Sequence, residues 1–227
     1  NLKNTIKNSK SGTATYYAKK ALEGYETEKE RRLNGSNAIL HNANGINYAN
    51  GKEDLITCQS TQYGGEFPGW SGCVSTSIAS MIRINNDLSS SVTAKDLVCC
   101  NKDGSDPRYA YNGYSFASVN GCGVKNGTGI SREQALLSIK EQLSQGKVCG
   151  VKLSTGSEYG HTVVCSGVKS GVSLNDASWS DLLFNDVGRS QSENRTSKTI
   201  SEMNYGNVVY SVPKDGNCYV VVETTKH

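Results

Sequence analysis

The sequence predicts an α+β domain in which helices come first and antiparallel strands follow. Three observations carry this. Apolar residues recur at helical spacing between Cys73 and Ile84. A capping-box pattern, Ser131-Arg-Glu-Gln134, announces a second helix. Beyond Gly146 the apolar residues gather into short, β-branched runs of strand length, with no return to βαβ alternation.

In the first helix Val74, Ile78, Met81 and Ile82 form one face, and Cys73, Ser77 and Ser80 form a second face of small residues. The breaker Ser71-Gly72 places Cys73 at the very start of that helix. The second helix carries Leu136, Ile139 and Leu143 inward before Gly146 stops it. Strands are expected over 148–153, 161–168, 181–185, 208–212 and 218–223, the last two joined as a hairpin around Lys214-Asp-Gly-Asn217. Ahead of these elements, residues 13–33 read as a solvated helix with Tyr17, Leu22 and Tyr25 as sparse anchors, and Asn34 to Gly51 reads as loop. The compact domain is placed at 54–227, after an N-terminal helix and Asn/Gly-rich linker over 1–53. The Gly-, Tyr- and Asn-rich stretch from Cys99 to Thr128 reads as a long loop region.

The chain has 227 residues, with 24 Lys+Arg against 21 Asp+Glu and a formal net charge of +3. A balance this close to neutral argues against a nucleic-acid footprint, and the basic pairs Lys19-Lys20 and Arg31-Arg32 sit among acidic neighbours as a solvated face. The longest apolar runs, such as Thr162 to Cys165 and Tyr219 to Val222, fall far short of the roughly 20 residues of a membrane span. The start at Asn1, without methionine or signal peptide, reads as an excised domain or a mature form. Eight cysteines are present, yet none forms a CxxC pair, so a zinc site is disfavoured. Cys149, Cys165 and Cys218 lie in strand-like runs where valine would serve, as core residues do.

Cys73 is different, because a thiol at a helix N-terminus gains from unpaired backbone N–H groups and the positive end of the helix dipole, which favour the thiolate. A base must accompany it. The chain has three histidines, and His161, opening a clear strand after Gly160, is better placed than His41 in the Asn-rich loop or the terminal His227. An acceptor for the other imidazole nitrogen is required too, and Asn185 with Asp186, at the end of a strand, competes with Asn175 and Asp176. Oxyanion donors would be the Cys73 N–H and an upstream amide from Gln59 or Gln62. Each of these residues alone is ordinary. Their order, Gln, Cys-helix, capped helix, strand, Gly-His-strand, strand-Asn-Asp, is not.

The segment Gly69-Trp-Ser-Gly-Cys-Val-Ser-Thr-Ser-Ile-Ala-Ser-Met81 resembles the nucleophile helix of papain-like cysteine peptidases, in particular the bacteriocin-processing (double-glycine) bacterial branch and its secreted relatives. The run Ile130 to Val168 is similar to that branch's helix, strand and histidine strand, and Phe184-Asn-Asp-Val-Gly188 resembles its Asn-Asp-Pro-Gly element. The likeness spans roughly Leu55 to Val222 and departs from the family's Cys-Gly-Pro at Cys73-Val-Ser75 and from its proline at Val187. It implies a papain-like fold with an N-terminal nucleophile helix packed on an antiparallel sheet. It further implies a Cys73-His161-Asp186 triad with Gln59 as oxyanion donor, following the strand-like Leu55 to Cys58, and Gln62 as the alternative. Neither metal nor organic cofactor is expected. The resemblance further implies a peptide or protein substrate and an extracellular or cell-envelope location in a bacterium. A cell-wall amidase or endopeptidase module acting on peptidoglycan peptides, or a binding module that has lost activity, would share these features.

Overall fold

A computed structural model of the chain describes residues 45–59, 72–86, 92–94, 97–99, 108–111, 114–119, 129–156, 160–190 and 196–224. The expected helix over 13–33, His41, Gln62 and His227 lie outside them.

Helix α1 (Cys73–Asn85) and helix α2 (Arg132–Ser144) flank a seven-stranded sheet. Its strands are β1 (Val98–Cys99), β2 (Arg108–Tyr111), β3 (Tyr114–Val119), β4 (Cys149–Leu153), β5 (His161–Val168), β6 (Leu182–Asn185) and β9 (Val220–Thr224), in the order β1-β2-β3-β9-β4-β5-β6. Every pairing within it is antiparallel. The α+β class follows directly. A separate two-stranded ribbon, β7 (Asn204–Tyr205) with β8 (Val208–Val209), stands beside the sheet's sequence order without joining it.

Both faces of the central strands are covered. Val164 and Val221 pack in one cluster with Val148 and with Ile78, Met81 and Ile82 of α1. Alternation along β4 and β5 turns Cys149, Val151, Leu153, Val163 and Cys165 to the opposite face, where all are fully buried and α2 packs on the same strands through its buried Ala135, Ile139 and Leu143. Leu136 is only half-buried. Because α1 is enclosed on nearly all sides, from Thr76 to Ile84, its small residues bond back to backbone. Ser80 Oγ donates to Thr76 O at 2.9 Å and accepts from Thr57 N–H at 3.1 Å, and Arg83 Nε donates to Val92 O at 2.7 Å. These bonds remove the penalty of burying polar atoms.

The capping box forms as the sequence predicts, with Ser131 Oγ accepting from Gln134 N–H at 3.1 Å and Gln134 Oε1 accepting from Ser131 N–H at 3.1 Å. Four expectations need correction. Residues 45–52 belong to the compact unit and not to a linker: Tyr48 N–H donates to Ser166 O at 2.9 Å, its hydroxyl donates to Leu143 O at 2.9 Å, and Asn47 bridges to Gly167. Leu55 to Cys58 is no strand, since a 3-10 turn over Glu53–Leu55 leads into irregular backbone. The stretch from Cys99 to Thr128 contains β2 and β3, in the register Tyr111↔Tyr114 and Tyr109↔Phe116. Alternating aromatic and small residues favour a pleated strand there, and Asn112-Gly113 is the sequence signal of a two-residue hairpin.

The last correction concerns the C-terminal hairpin. Lys214 to Asn217 does turn, with Asn217 N–H donating to Lys214 O at 3.0 Å, but the strands it joins do not pair with each other. β8 pairs back with β7, Ser211 bridges to Ser154, and β9 inserts between β3 and β4. Pro213 lacks the N–H that a continuing ladder needs.

Candidate active site

Gly72 occupies the N-cap of α1 and has no side chain to cap it, and its carbonyl receives the Thr76 N–H at 2.9 Å and the Thr76 hydroxyl at 2.7 Å. The first-turn N–H groups therefore retain their partial positive charge beside half-buried Cys73. Burial pushes the Cys73 thiol up; the hydrogen bond and charge of His161, with hydrogen bonds from the Thr162 backbone and hydroxyl, outweigh it and hold the thiol below its usual range.

His161 opens β5 opposite Leu153, the last residue of β4. Gly160 before it has φ of 67°, and a Cβ there would lie 2.7 Å from Leu153 O and 2.9 Å from Lys152 Cε, so no other residue enters this strand at the same angle. His161 Nε2 lies 2.6 Å from Asp186 Oδ1. That bond occupies Nε2, so Nδ1 is the nitrogen left for Cys73. Burial lowers the imidazole pKa, but bonds to Asp186 and Cys73 and their charges push it up to about 10. The pair is thereby poised as thiolate and imidazolium.

Asp186 follows β6, whose Asn185 pairs with Val164 of β5, so the two strand ends bring carboxylate and imidazole together. The carboxylate is 1% exposed and fully engaged. Oδ1 also accepts the Gly188 N–H at 2.7 Å, while Oδ2 accepts the Tyr210 hydroxyl at 2.5 Å and lies 3.5 Å from Arg189 Nε. Burial raises its pKa, and the contacts with His161, Tyr210 and Gly188 overcome that and lower it. Gly188 fits because it has no side chain: a Cβ would stand 2.9 Å from His161 Nε2 and 3.0 Å from Asp186 Oδ1.

The competing acceptors are elsewhere. Asn185 is buried, with its Oδ1 receiving the Ser197 hydroxyl at 3.0 Å. Asp176 is exposed and closes a local turn with Ser173, whose hydroxyl it accepts at 2.5 Å, while the Asn175 carbonyl accepts Lys140 Nζ at 2.6 Å. Gln59 is 6% exposed, and its N–H donates to Val187 O at 2.7 Å, which ties its backbone to the segment between Asp186 and Gly188.

Three residues were not legible as part of this arrangement. Thr162 reaches Cys73, bonds through its hydroxyl to that of Tyr219, and receives the Ser77 hydroxyl on its carbonyl at 3.2 Å. Tyr210 holds the far oxygen of Asp186. Neither tyrosine has a sequence signal, since only the sheet order brings them here; Thr162 could be suspected as the residue after His161. Beside Gly160, a cavity of about 440 Å³ is lined by Lys152, Ser154, Gly156, Pro213, Lys214 and Asn217. Among the described residues no group of three or more His, Cys, Asp or Glu could hold a metal ion. Compared with family models, curated proteins and solved structures, the chain matches none of them.

Proposed function

We propose that the chain is a thiol hydrolase of papain-like fold that cleaves peptide (amide) bonds, a bacterial cysteine peptidase. The observation that carries this reading is the 2.6 Å contact between His161 Nε2 and Asp186 Oδ1, which leaves Nδ1 for Cys73 at the N-terminus of a helix whose N-cap is a glycine. Nucleophile, base and orienting carboxylate come from three elements and meet at one end of the sheet.

In this mechanism the Cys73 thiolate attacks the amide carbonyl. His161 gives its proton to the leaving amine as the thioester forms, then takes a proton from the water that releases the acyl group. Asp186 stabilises the imidazolium and fixes the ring. The Cys73 N–H and the Gln59 side-chain amide stabilise the oxyanion, a donor's contribution being on the order of 10²–10³ in rate.

The test is hydrolysis of protein substrates and of cell-wall peptides by the reduced protein and by Cys73→Ala. Cell-wall peptides are included because Lys152 and Lys214 line the cavity beside Gly160 and suit a carboxylate-bearing chain. Turnover of either class that vanishes in Cys73→Ala supports the reading. Equal activity of the two proteins overturns it.

A further inference from the structure

Asp186 presents two oxygens, and the triad uses one. The other is held by Tyr210, whose hydroxyl donates to Oδ2 at 2.5 Å from a side chain only 7% exposed. Arg189 Nε stands farther from the same oxygen, at 3.5 Å, and its guanidinium lies 4.4 Å over the Tyr205 ring. Tyr205 in turn meets Tyr210 edge-on at 6.1 Å and 89°. Oδ1 is held by His161 Nε2 and the Gly188 N–H, and at Oδ2 the neutral phenol makes a shorter bond than the Arg189 cation, which also interacts with the Tyr210 phenol.

Tyr210 is fixed to the same frame as His161. The next residue, Ser211, exchanges both backbone hydrogen bonds with Ser154 at 2.9 Å, and Ser154 follows Leu153, the strand partner of His161. A closed ring of contacts thus runs from His161 through β4 to Ser211, across Tyr210 to Asp186, and back to His161. Without the Tyr210 hydroxyl, Oδ2 loses its bond at 2.5 Å with Arg189 still at 3.5 Å beside it, and the carboxylate's rotation toward Arg189 is opposed only from the Oδ1 side, by the bonds to His161 and the Gly188 N–H, which such a rotation weakens. Its own charge would then be spent on the guanidinium and not on the imidazolium.

We infer that Tyr210 is a positioning residue, which acts through Asp186 and His161 to keep Cys73 ionised at neutral pH. This rests on the hydrolase reading of the site. The phenol itself stays protonated: burial and the neighbouring Asp186 charge hold it above its usual range, so it donates across the working pH range.

The experiment compares the pH dependence of Cys73 alkylation by iodoacetamide in wild type and Tyr210→Phe, with kcat and KM on any cleaved peptide. In Tyr210→Phe the alkylation midpoint is expected to rise by about one unit, and kcat, at unchanged KM, to fall by about tenfold at pH values below the wild-type midpoint, the factor such a displaced ionisation implies. A folded Tyr210→Phe protein with the wild-type midpoint overturns the inference and leaves the hydrolase reading standing. A wild-type Cys73 that reacts only in the ordinary thiol range overturns both. Should Tyr210→Phe fail to fold, the wild-type protein decides by NMR: a slowly exchanging, downfield Tyr210 hydroxyl proton that is lost in Asp186→Ala is expected, and its absence overturns the inference.

Discussion

His161 and Asp186 meet at 2.6 Å although 25 residues separate them, because β5 and β6 are antiparallel neighbours whose ends lie side by side. The same contact decides which imidazole nitrogen is left for Cys73. Chemistry at the thiol is therefore set two strands away from the helix that bears it.

Cys73 should be the fast-alkylating cysteine among the described ones. Bonding and charge from His161 lower its pKa against the effect of burial, whereas burial raises that of Cys218, and a hydrogen bond with Cys165 together with burial raises that of Cys149. Peptide mass spectrometry after brief iodoacetamide treatment of the folded, reduced protein should find the label at Cys73 below pH 7. His161→Ala should return its reactivity to the usual thiol range. Because the imidazole pKa is pushed up to about 10, activity is expected to hold through neutral pH and decline on the alkaline side as that proton is lost.

Asp186→Ala should lower hydrolysis far more than Asp176→Ala, since Asp186 bonds the His161 ring whereas Asp176 closes an exposed turn with Ser173. A larger loss from Asp176→Ala would show that the orienting acid has been misassigned. Stability also follows from the sign of the shift. The Asp186 carboxyl is held below its unfolded value of about 3.9, so its contribution is present above that pH and is lost as pH falls through the folded pKa. Acid titration monitored by circular dichroism should show this loss in wild type and a flatter profile in Asp186→Asn.

Gly188→Ala tests the close approach directly. The added Cβ would stand 2.9 Å from His161 Nε2, and a ring that shifts away from it strains its bonds to Asp186 and Cys73. The expected result is a loss of kcat on the order of tenfold or more, with destabilisation of about 1–3 kcal/mol typical of overpacking. Unchanged kinetics would mean that the Asp186 segment moves freely.

Ser131→Ala tests the frame away from the site. Removing the side chain that accepts the Gln134 N–H is expected to cost about 1 kcal/mol and to lower Tm, with kcat unchanged. Thermal melts with activity assays check both halves of that expectation.

The sequence by itself determined the elements whose causes are local. Cys73 begins a helix because Gly72 precedes helical periodicity, Ser131 and Gln134 cap each other across one turn, and β5 starts at His161 after a glycine with positive φ. The candidate thiol and base were legible for the same reason, as each is marked by its place at an element's end. The tertiary structure alone decided pairings between distant segments. It separated the expected C-terminal hairpin, inserting β9 beside β3 and β4, and made Tyr111 and Tyr114 partners in a strand pair where a loop was expected. It also singled out Asp186 from Asn185 and Asp176 and brought Tyr210 to it. Local propensity acts over a few residues, whereas these contacts depend on which strands share hydrogen bonds, and that is settled by burial of both sheet faces together.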